Sequence, residues 1–599
     1  MLNSSSNYKT KIKEIDRVET ALVLVDFKGD IDYPLASSVI ASTTKAGYNT
    51  SDIIDGIFRE STKIYTGDYI ATELEGPALG WKGTSISNAI GTLNIAETIT
   101  ITYNAFDTGN FWVVGTPQNY PVDFSVRIHH IGGYDTVNVI GNENYMWSKA
   151  VAAYTDVDEV LITITKISAF NGENAFILEG GAIRRVCFDM NDIISMGGTE
   201  EINSPGRSIG YISANDFSLT LNNMEHLFVM SNTESPFYGL MKPKIRLQPF
   251  IGIEVSTNTY ELIPLGVFRS LDWNSENDSA EFTISGIDRL EDYNDIPTPK
   301  FLPAQNITLE EYINTIDVEC GLNATIDTIR VSNPLFCYSN TTTIRYLLQE
   351  IAEALPGCIY IDRLNVLRIR PFDFSIDTAV DIWTDDNLII TAINQQQFTT
   401  CYSSVKIKKR NIKATPGQQV SFVEGTPIAE ETLTLTNIPF TLPVLYIESI
   451  GVYNSLATTV NSIAANPAQY TLELQNDGLV QDNVTIEIIA TTFDENPTDL
   501  LYMDPFYSNV YEKELLVDNP LLQVDSECNE YASIIFNTLA DPISEYVVSV
   551  LWDPSIELLD QVILDDISEK VDNVQLIILR QTWSFDGAMT AEISGKRTT

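Results

Sequence analysis

The sequence predicts a mainly β, multidomain protein built of sandwich or barrel domains with a few packed helices. Three observations lead there. At 599 residues the chain is longer than one hydrophobic core can fill, so several domains are needed. Apolar and polar residues alternate at period two over most of its length, as in Thr98 to Tyr103, Phe124 to Ile128, Glu281 to Ile284 and Thr485 to Ile489, the pattern of strands with one buried face. Helical spacing appears in three places only.

The first predicted helix starts at the capping-box pair Thr308 and Glu311, carries Leu309, Tyr312, Ile313 and Ile316 on one face, and stops at Gly321. The second runs from Ile344 to Leu355, with Leu347, Leu348 and Ile351 facing inward, and ends before Pro356 and Gly357. Two short strands follow, joined by a turn at Asp362 to Asn365. The third helix fits Ser526 to Leu539, where Ala532, Ile535 and Phe536 are spaced for burial. Turn-rich stretches place domain cuts that give segments 1–75, 76–182, 183–300, 301–400, 401–510 and 511–599. Segment 401–510 reads as a β-sandwich or as an extension of its neighbours.

A net charge of -45 repels nucleic acid phosphates and anionic membrane surfaces, so neither is an expected partner. The first residues, MLNSSSNYKTKIKEIDR, have no apolar leader pattern, and no stretch has the length of a membrane span, so assembly in a cytoplasm without stable membrane insertion is expected. The six cysteines show no C-x-x-C spacing and read as buried free thiols.

Catalytic motifs find little support. Gly206 to Gly210 forms a G-x-S-x-G string around Ser208, yet the residues after it read as a strand, whereas a nucleophile elbow needs a helix there. His129 and His130 are adjacent on one strand and so point to opposite faces, which argues against a shared metal. Asp and Glu number 81, so neighbouring acids such as Asp565 and Asp566 are expected by abundance alone. The expectation is no enzyme, no cofactor and no metal.

Four stretches carry a family resemblance. Residues 263 to 273, IPLGVFRSLDW, lead into SGIDRLEDYND at 285 to 295; TIRYLLQEIAEALPGCIYIDRLNVLRIRPF spans 343 to 372; WDPSIELLDQVILDD and RQTWSFDGAMTAEISGK lie at 552 to 566 and 580 to 596. In this order they resemble hub and tail-tip proteins of bacteriophage tails, although Leu559-Asp560 stands where that pattern more often has Leu-Gly-Asp. The resemblance implies a structural subunit of a virion tail, most simply a homotrimer. Its implied partners are a tube or distal tail protein, a tape measure, and a spike or fibre.

Between Trp81 and Ile183, with strands expected at 97–104, 122–130, 137–140 and 160–167, the sequence looks like the discoidin or galactose-binding-like jelly-roll modules inserted in some tail proteins. That likeness implies a host-surface glycan at loops of one end, for which Phe111, Trp112, Tyr145 and Trp147 are the candidates; the competing reading places the tryptophans in a core. A sugar-binding adhesin acting mainly through residues 81–183 is the alternative function.

Two basic runs stand out in this acidic chain: Lys9, Lys11, Lys13 and Arg17, and Lys406, Lys408, Lys409, Arg410 and Lys413. The second admits two readings. Either its lysines block an edge strand at Val405 to Lys408, or Lys406, Lys408, Lys409 and Arg410 meet acidic faces of sister subunits.

Overall fold

The structure, a computed structural model, describes residues 4–27, 38–45, 70–72, 80–202, 212–297, 304–327, 335–337, 343–371, 379–396, 403–503, 514–539, 545–566 and 571–597, with Leu2 and Gly210, apart from 224–225, 230, 257–258, 275–279, 356, 385–388, 390–392, 429–431, 456 and 479–480. It is mainly β, in several sheets with separate cores.

The largest sheet is assembled from distant parts of the chain. Its path runs through the strands Arg185–Asp189, Glu19–Asp26, Arg246–Ser256, Phe268–Asn274, Glu281–Asp288, Asp216–Asn222, Ile193–Glu201, Val571–Phe585, Met589–Arg597, Glu545–Leu551 and Asn394–Gln396. The path is open, so of the barrel and sandwich forms expected, no closed barrel occurs among the described residues. Alternation dictates the burial: in Asp216–Asn222 the side chains of Phe217, Leu219 and Leu221 are buried, and they pair across to Gly286, Ile284 and Phe282. Phe217 stacks on Phe268 with centroids 5.1 Å apart. Glycine is required nearby: a Cβ on Gly198 would meet Asp216 O at 2.5 Å and the Trp583 ring at 3.0 Å. Gly266 adopts φ 124°, which lets the chain swing from Thr259–Pro264 into Phe268–Asn274.

Residues 81–182 form an inserted β module around their own core. A six-stranded sheet has the order Glu179–Ala182, Thr92–Val114, Met146–Ile167, Pro121–His130 and Gly133–Val139, with Ser38–Ala41 added to Thr92–Val114; Trp81–Ile86 pairs separately with Asn174–Ile177. Three of the four expected strands fall within these elements, and the fourth, 137–140, overruns the strand Gly133–Val139 by one residue. Trp81, Ile99, Ile101, Phe124, Val126, Ile162 and Ile164 fill the core.

The helices form where local sequence specifies them. Glu311 N donates to Thr308 Oγ1 at 3.1 Å and Thr308 N to Glu311 Oε2 at 2.8 Å, closing the capping box; Gly321, at φ 60°, ends the helix Leu309–Cys320. The helix Ile344–Ala354 buries Leu347, Leu348 and Ile351 against the hairpin Gly357–Ile361 and Leu367–Pro371, where Ile359 and Ile369 pair. The helix Asp525–Leu539 inserts Tyr531, Ala532, Ile535 and Phe536 into the core of the large sheet.

Residues 404–503 are both a sandwich and an extension. Ser404–Ile428 and Asp482–Met503 pair along their length, and their far halves face the sheet Thr432–Pro439, Gln469–Asn476, Thr458–Ala465 across a core of Val420, Tyr470, Leu472, Ile486 and Ile488. The near halves send Val405 and Ile407 into the core of the large sheet. The edge-strand expectation for Val405 to Lys408 is corrected here. Ser404–Ile407 is hydrogen-bonded to Asp482–Met503 on one side and to Glu514–Val517 on the other, so there is no open edge for lysine to block.

Candidate functional site

Three of the four resemblance-bearing stretches, far apart in sequence, meet at one node. It starts from the turn after Ile361. The Asp362 carboxylate accepts from Leu364 N at 3.0 Å, Val366 N at 2.8 Å and Arg368 Nε at 2.7 Å, while Asn365 takes φ 63°. That fixed turn aims Arg363 into the large sheet, where Nε reaches Glu200 Oε1 at 2.7 Å and Nη2 reaches Glu200 Oε2 at 2.9 Å. Nη1 donates to Pro554 O, and the guanidinium lies 5.4 Å from the centre of the Trp552 ring. Trp552 stacks on Trp583 at 5.1 Å and donates from Nε1 to Gln581 Oε1 at 3.0 Å. Burial opposes the Arg363 charge, but Glu200, Glu557 and Asp560 together outweigh it and hold the guanidinium pKa above its usual value.

The N-terminal segment reaches the same place. Leu2 N donates to Ser555 O at 2.8 Å, Tyr8 Oη to Asp553 Oδ1 at 3.3 Å, and Arg17 Nη2 to Trp552 O at 3.1 Å. Glu19 pairs with Arg17 at 2.6 Å and also accepts from Met589 N. A second seam surrounds the Asp288-Arg289-Leu290 turn. Asp288 accepts from Asn215 N at 2.8 Å and Leu290 N at 2.9 Å, and Asn215 Nδ2 donates to Ile361 O at 3.2 Å. Arg289 and Arg345 donate to the carbonyls of Leu322 and Leu290. Burial pushes the Asp288 carboxyl up to about 7. These hydrogen bonds tie the segments together.

The four candidate glycan residues are not brought together on one surface. Phe111 and Trp112 lie within the strand Thr92–Val114, not in a loop, and both are buried. Being adjacent they face opposite ways: Phe111 enters the module's own core, and Trp112 enters the core of the large sheet, edge-on to Phe237 at 5.9 Å. A cavity of about 60 Å³ beside Trp112 is walled by Phe188, Phe228 and Phe237. Trp147 is half-buried and edge-on to Phe124 at 5.3 Å; Tyr145 is half-buried.

The basic residues assigned to subunit contacts have acidic neighbours in their own chain. Lys406 pairs with Asp499 at 2.7 Å, Lys408 with Asp518 at 3.0 Å, Lys409 with Asp525 at 2.7 Å and Arg410 with Glu495 at 2.9 Å. Lys11, Lys13 and Arg17 likewise meet Glu14, Asp381 and Glu19.

Ser208 lies outside the described residues. Gly210, which closes its string, has φ 71°, and a Cβ there would stand 2.9 Å from Glu353 Cα, so it is a packing position against a helix. His129 and His130 find separate carboxylates, Asp158 and Asp135, and among the described residues no group of three or more His, Cys, Asp or Glu is placed to hold a metal. Cys358 and Cys528 are buried free thiols, Cys187 is buried and Cys320 is half-buried; burial raises the Cys358 thiol to about 12. The contacts of Arg363, Glu200, Asn215 and the Trp552–Trp583 stack were not marked by the sequence, because the partners are distant in the chain, 163 residues for Arg363 and Glu200 and 191 for Arg363 and Pro554.

No protein-family model matches the sequence, and no curated protein matches it. Among solved structures the chain is similar to the 43 kDa tail protein of prophage MuSo2 from Shewanella oneidensis, at 12% identity and a TM-score of 0.38, covering 68% of this chain and 94% of that one. It is similar to a tail protein from Neisseria meningitidis MC58, at 8% identity and 0.38, covering 70% and 93%. It is also similar to prophage tail protein gp18 from Listeria monocytogenes EGD-e, at 8% identity and 0.34, covering 69% and 91%. At these scores and identities the likeness fixes neither a shared fold for the whole chain nor an activity.

Proposed function

We propose that this chain is a structural, non-catalytic subunit of a phage-type tail, a hub or tip protein that joins the tail tube to distal tail proteins as a ring of three. The observation that carries the reading is the convergence of the tail-hub-like segments. The strands Phe268–Asn274, Glu281–Asp288, Val571–Phe585 and Met589–Arg597 lie in one continuous sheet, and the hairpin Gly357–Ile361 and Leu367–Pro371 is bolted to that sheet through Arg363 and Asn215. Segments that resemble a family in order, and also close on one another in space, form one unit.

A ring of chains with this net charge needs local apolar contact. One exposed face supplies it. Lys406 is flanked across the sheet by Leu501 and Leu516, and Met503 lies next along; the three apolar side chains are 52%, 48% and 51% exposed. We assign this row to the subunit contact, and cyclic symmetry lets such a contact close on itself. Mass measurement of the protein assembled with its tail partners should give a multiple of three, and antibody labelling should decorate one tail end. A stable monomer or dimer within assembled tails, or label along the whole tube, would overturn the reading.

A further inference from the structure

The outer face of the 404–503 sandwich carries a surface for which a ring subunit has no need. Sheet order places Gly451, Glu487 and Phe422 side by side in one row across the strands Val444–Tyr453, Asp482–Met503 and Ser404–Ile428. Ile486 and Ile488 point into the core, so Glu487 between them points out. Gly451 leaves its place in the row empty, and the Tyr453 ring folds back to fill it. Its Cε2 and Cζ lie 2.7 and 2.8 Å from where a Cβ on Gly451 would stand. From there Tyr453 Oη donates to Glu487 Oε2 at 2.8 Å, while Gln419 Nε2 donates to Glu487 Oε1 at 2.5 Å. The two rings remain open to solvent, Phe422 at 55% and Tyr453 at 51% exposure. They stand on either side of Glu487, two strand spacings or about 10 Å apart.

The chemistry of this row selects its occupant. A purely apolar partner would strip water from a carboxylate placed between the rings, at a cost that two aromatic contacts do not offset. Anionic polymers are disfavoured, since the charges here are Glu424, Glu448 and Glu487, and the segments 417–424, 444–453 and 484–491 contain no Lys or Arg. A ligand with flat C–H faces and hydroxyl donors satisfies rings and carboxylate together. We propose that this face binds a neutral or amine-bearing saccharide chain, with sugar rings stacked on Phe422 and Tyr453 and hydroxyls between them donating to Glu487. The site stands apart from residues 81–183 and does not depend on the tail reading.

The test is affinity electrophoresis of the full chain through gels containing dextran, glucomannan, glycol chitosan or polygalacturonate. Retardation is expected in at least one of the first three and not in polygalacturonate. The Phe422→Ala/Tyr453→Ala double variant should bind about tenfold or more weakly, the loss expected of two stacking contacts, with an unchanged melting temperature. Tyr453→Phe, which keeps the ring, should retain most of the binding. If the double variant melts early, Phe422→Leu takes its place, since it keeps an apolar side chain and removes only the ring face. The proposal fails if the wild type runs freely in all three gels, if the variants are retarded as the wild type is, or if polygalacturonate holds it hardest. It fails equally if the substitutions change self-association and not retardation, which would make the face a contact between copies.

Discussion

Arg363 and Glu200 form a two-bond ion pair, at 2.7 and 2.9 Å, with their side chains only 3% and 5% exposed. Removing one member leaves the other charged and dry. Arg363→Ala or Glu200→Ala should therefore cost roughly 3–5 kcal/mol. Arg363→Lys should recover little, because an ammonium cannot span both carboxylate oxygens while also holding Pro554 O. Urea unfolding followed through tryptophan fluorescence checks this, since Trp552 and Trp583 stand at the same node.

Trp112→Ala should destabilise by roughly 3–5 kcal/mol, as a buried aromatic truncation, and Trp147→Ala by clearly less, because Trp147 is half-buried. Thermal melting of the two variants decides it. Equal, small losses would mean that Trp112 is not the plug between the inserted module and the large sheet.

Replacing Leu501 and Leu516 by Glu should leave the monomer's melting temperature nearly unchanged and weaken assembly at least tenfold, since the row would then carry two like charges facing a partner. Sedimentation of the variant with its tail partners measures this. Undiminished assembly would remove this face from the proposed ring.

Asp288 gives a pH signature. Burial raises its folded pKa from the ordinary 3.8 to about 7, so between these limits the folded chain holds a proton that the unfolded chain has released. Its contribution is fully present below the unfolded pKa and is lost as pH rises through about 7. The melting temperature of the wild type, relative to Asp288→Asn, should fall as pH rises across that window. Below the window Asp288→Asn should be the less stable chain, because its amide puts an NH2 group where one carboxyl oxygen accepts from Asn215 N or Leu290 N. A difference that stays flat with pH would show that Asp288 is ionised throughout.

Ser208→Ala should leave infectivity and any hydrolytic background unchanged. Loss of infectivity in a folded variant would show that the loop has a chemical task.

The legible parts of this fold are those specified within a few residues. Thr308, Glu311 and Gly321 announce a helix because its caps are local, and Asp362 to Asn365 announce a turn for the same reason. Trp112 was not legible: it and Phe111 are neighbours that enter two different cores, and alternation says only that they face apart. The lysines of Val405 to Lys408 misled because an interior strand paired with acid-bearing neighbours has the same local pattern as a protected edge. The Arg363 node was invisible because no spacing rule links residues 200, 363, 552 and 583.

The first strand of the large sheet, Glu19–Asp26, is made early, while Glu545–Leu551 and Met589–Arg597 are made hundreds of residues later. On the ribosome, the inserted module and the helix-and-hairpin unit can collapse around local cores as they emerge, whereas the sheet that collects them waits for its last strands. Tyr8, Arg17 and Glu19 find Asp553, Trp552 and Met589 only then. The order of synthesis thus acts as a timer: a product stalled before Glu545 would hold folded modules but not the sheet that joins them.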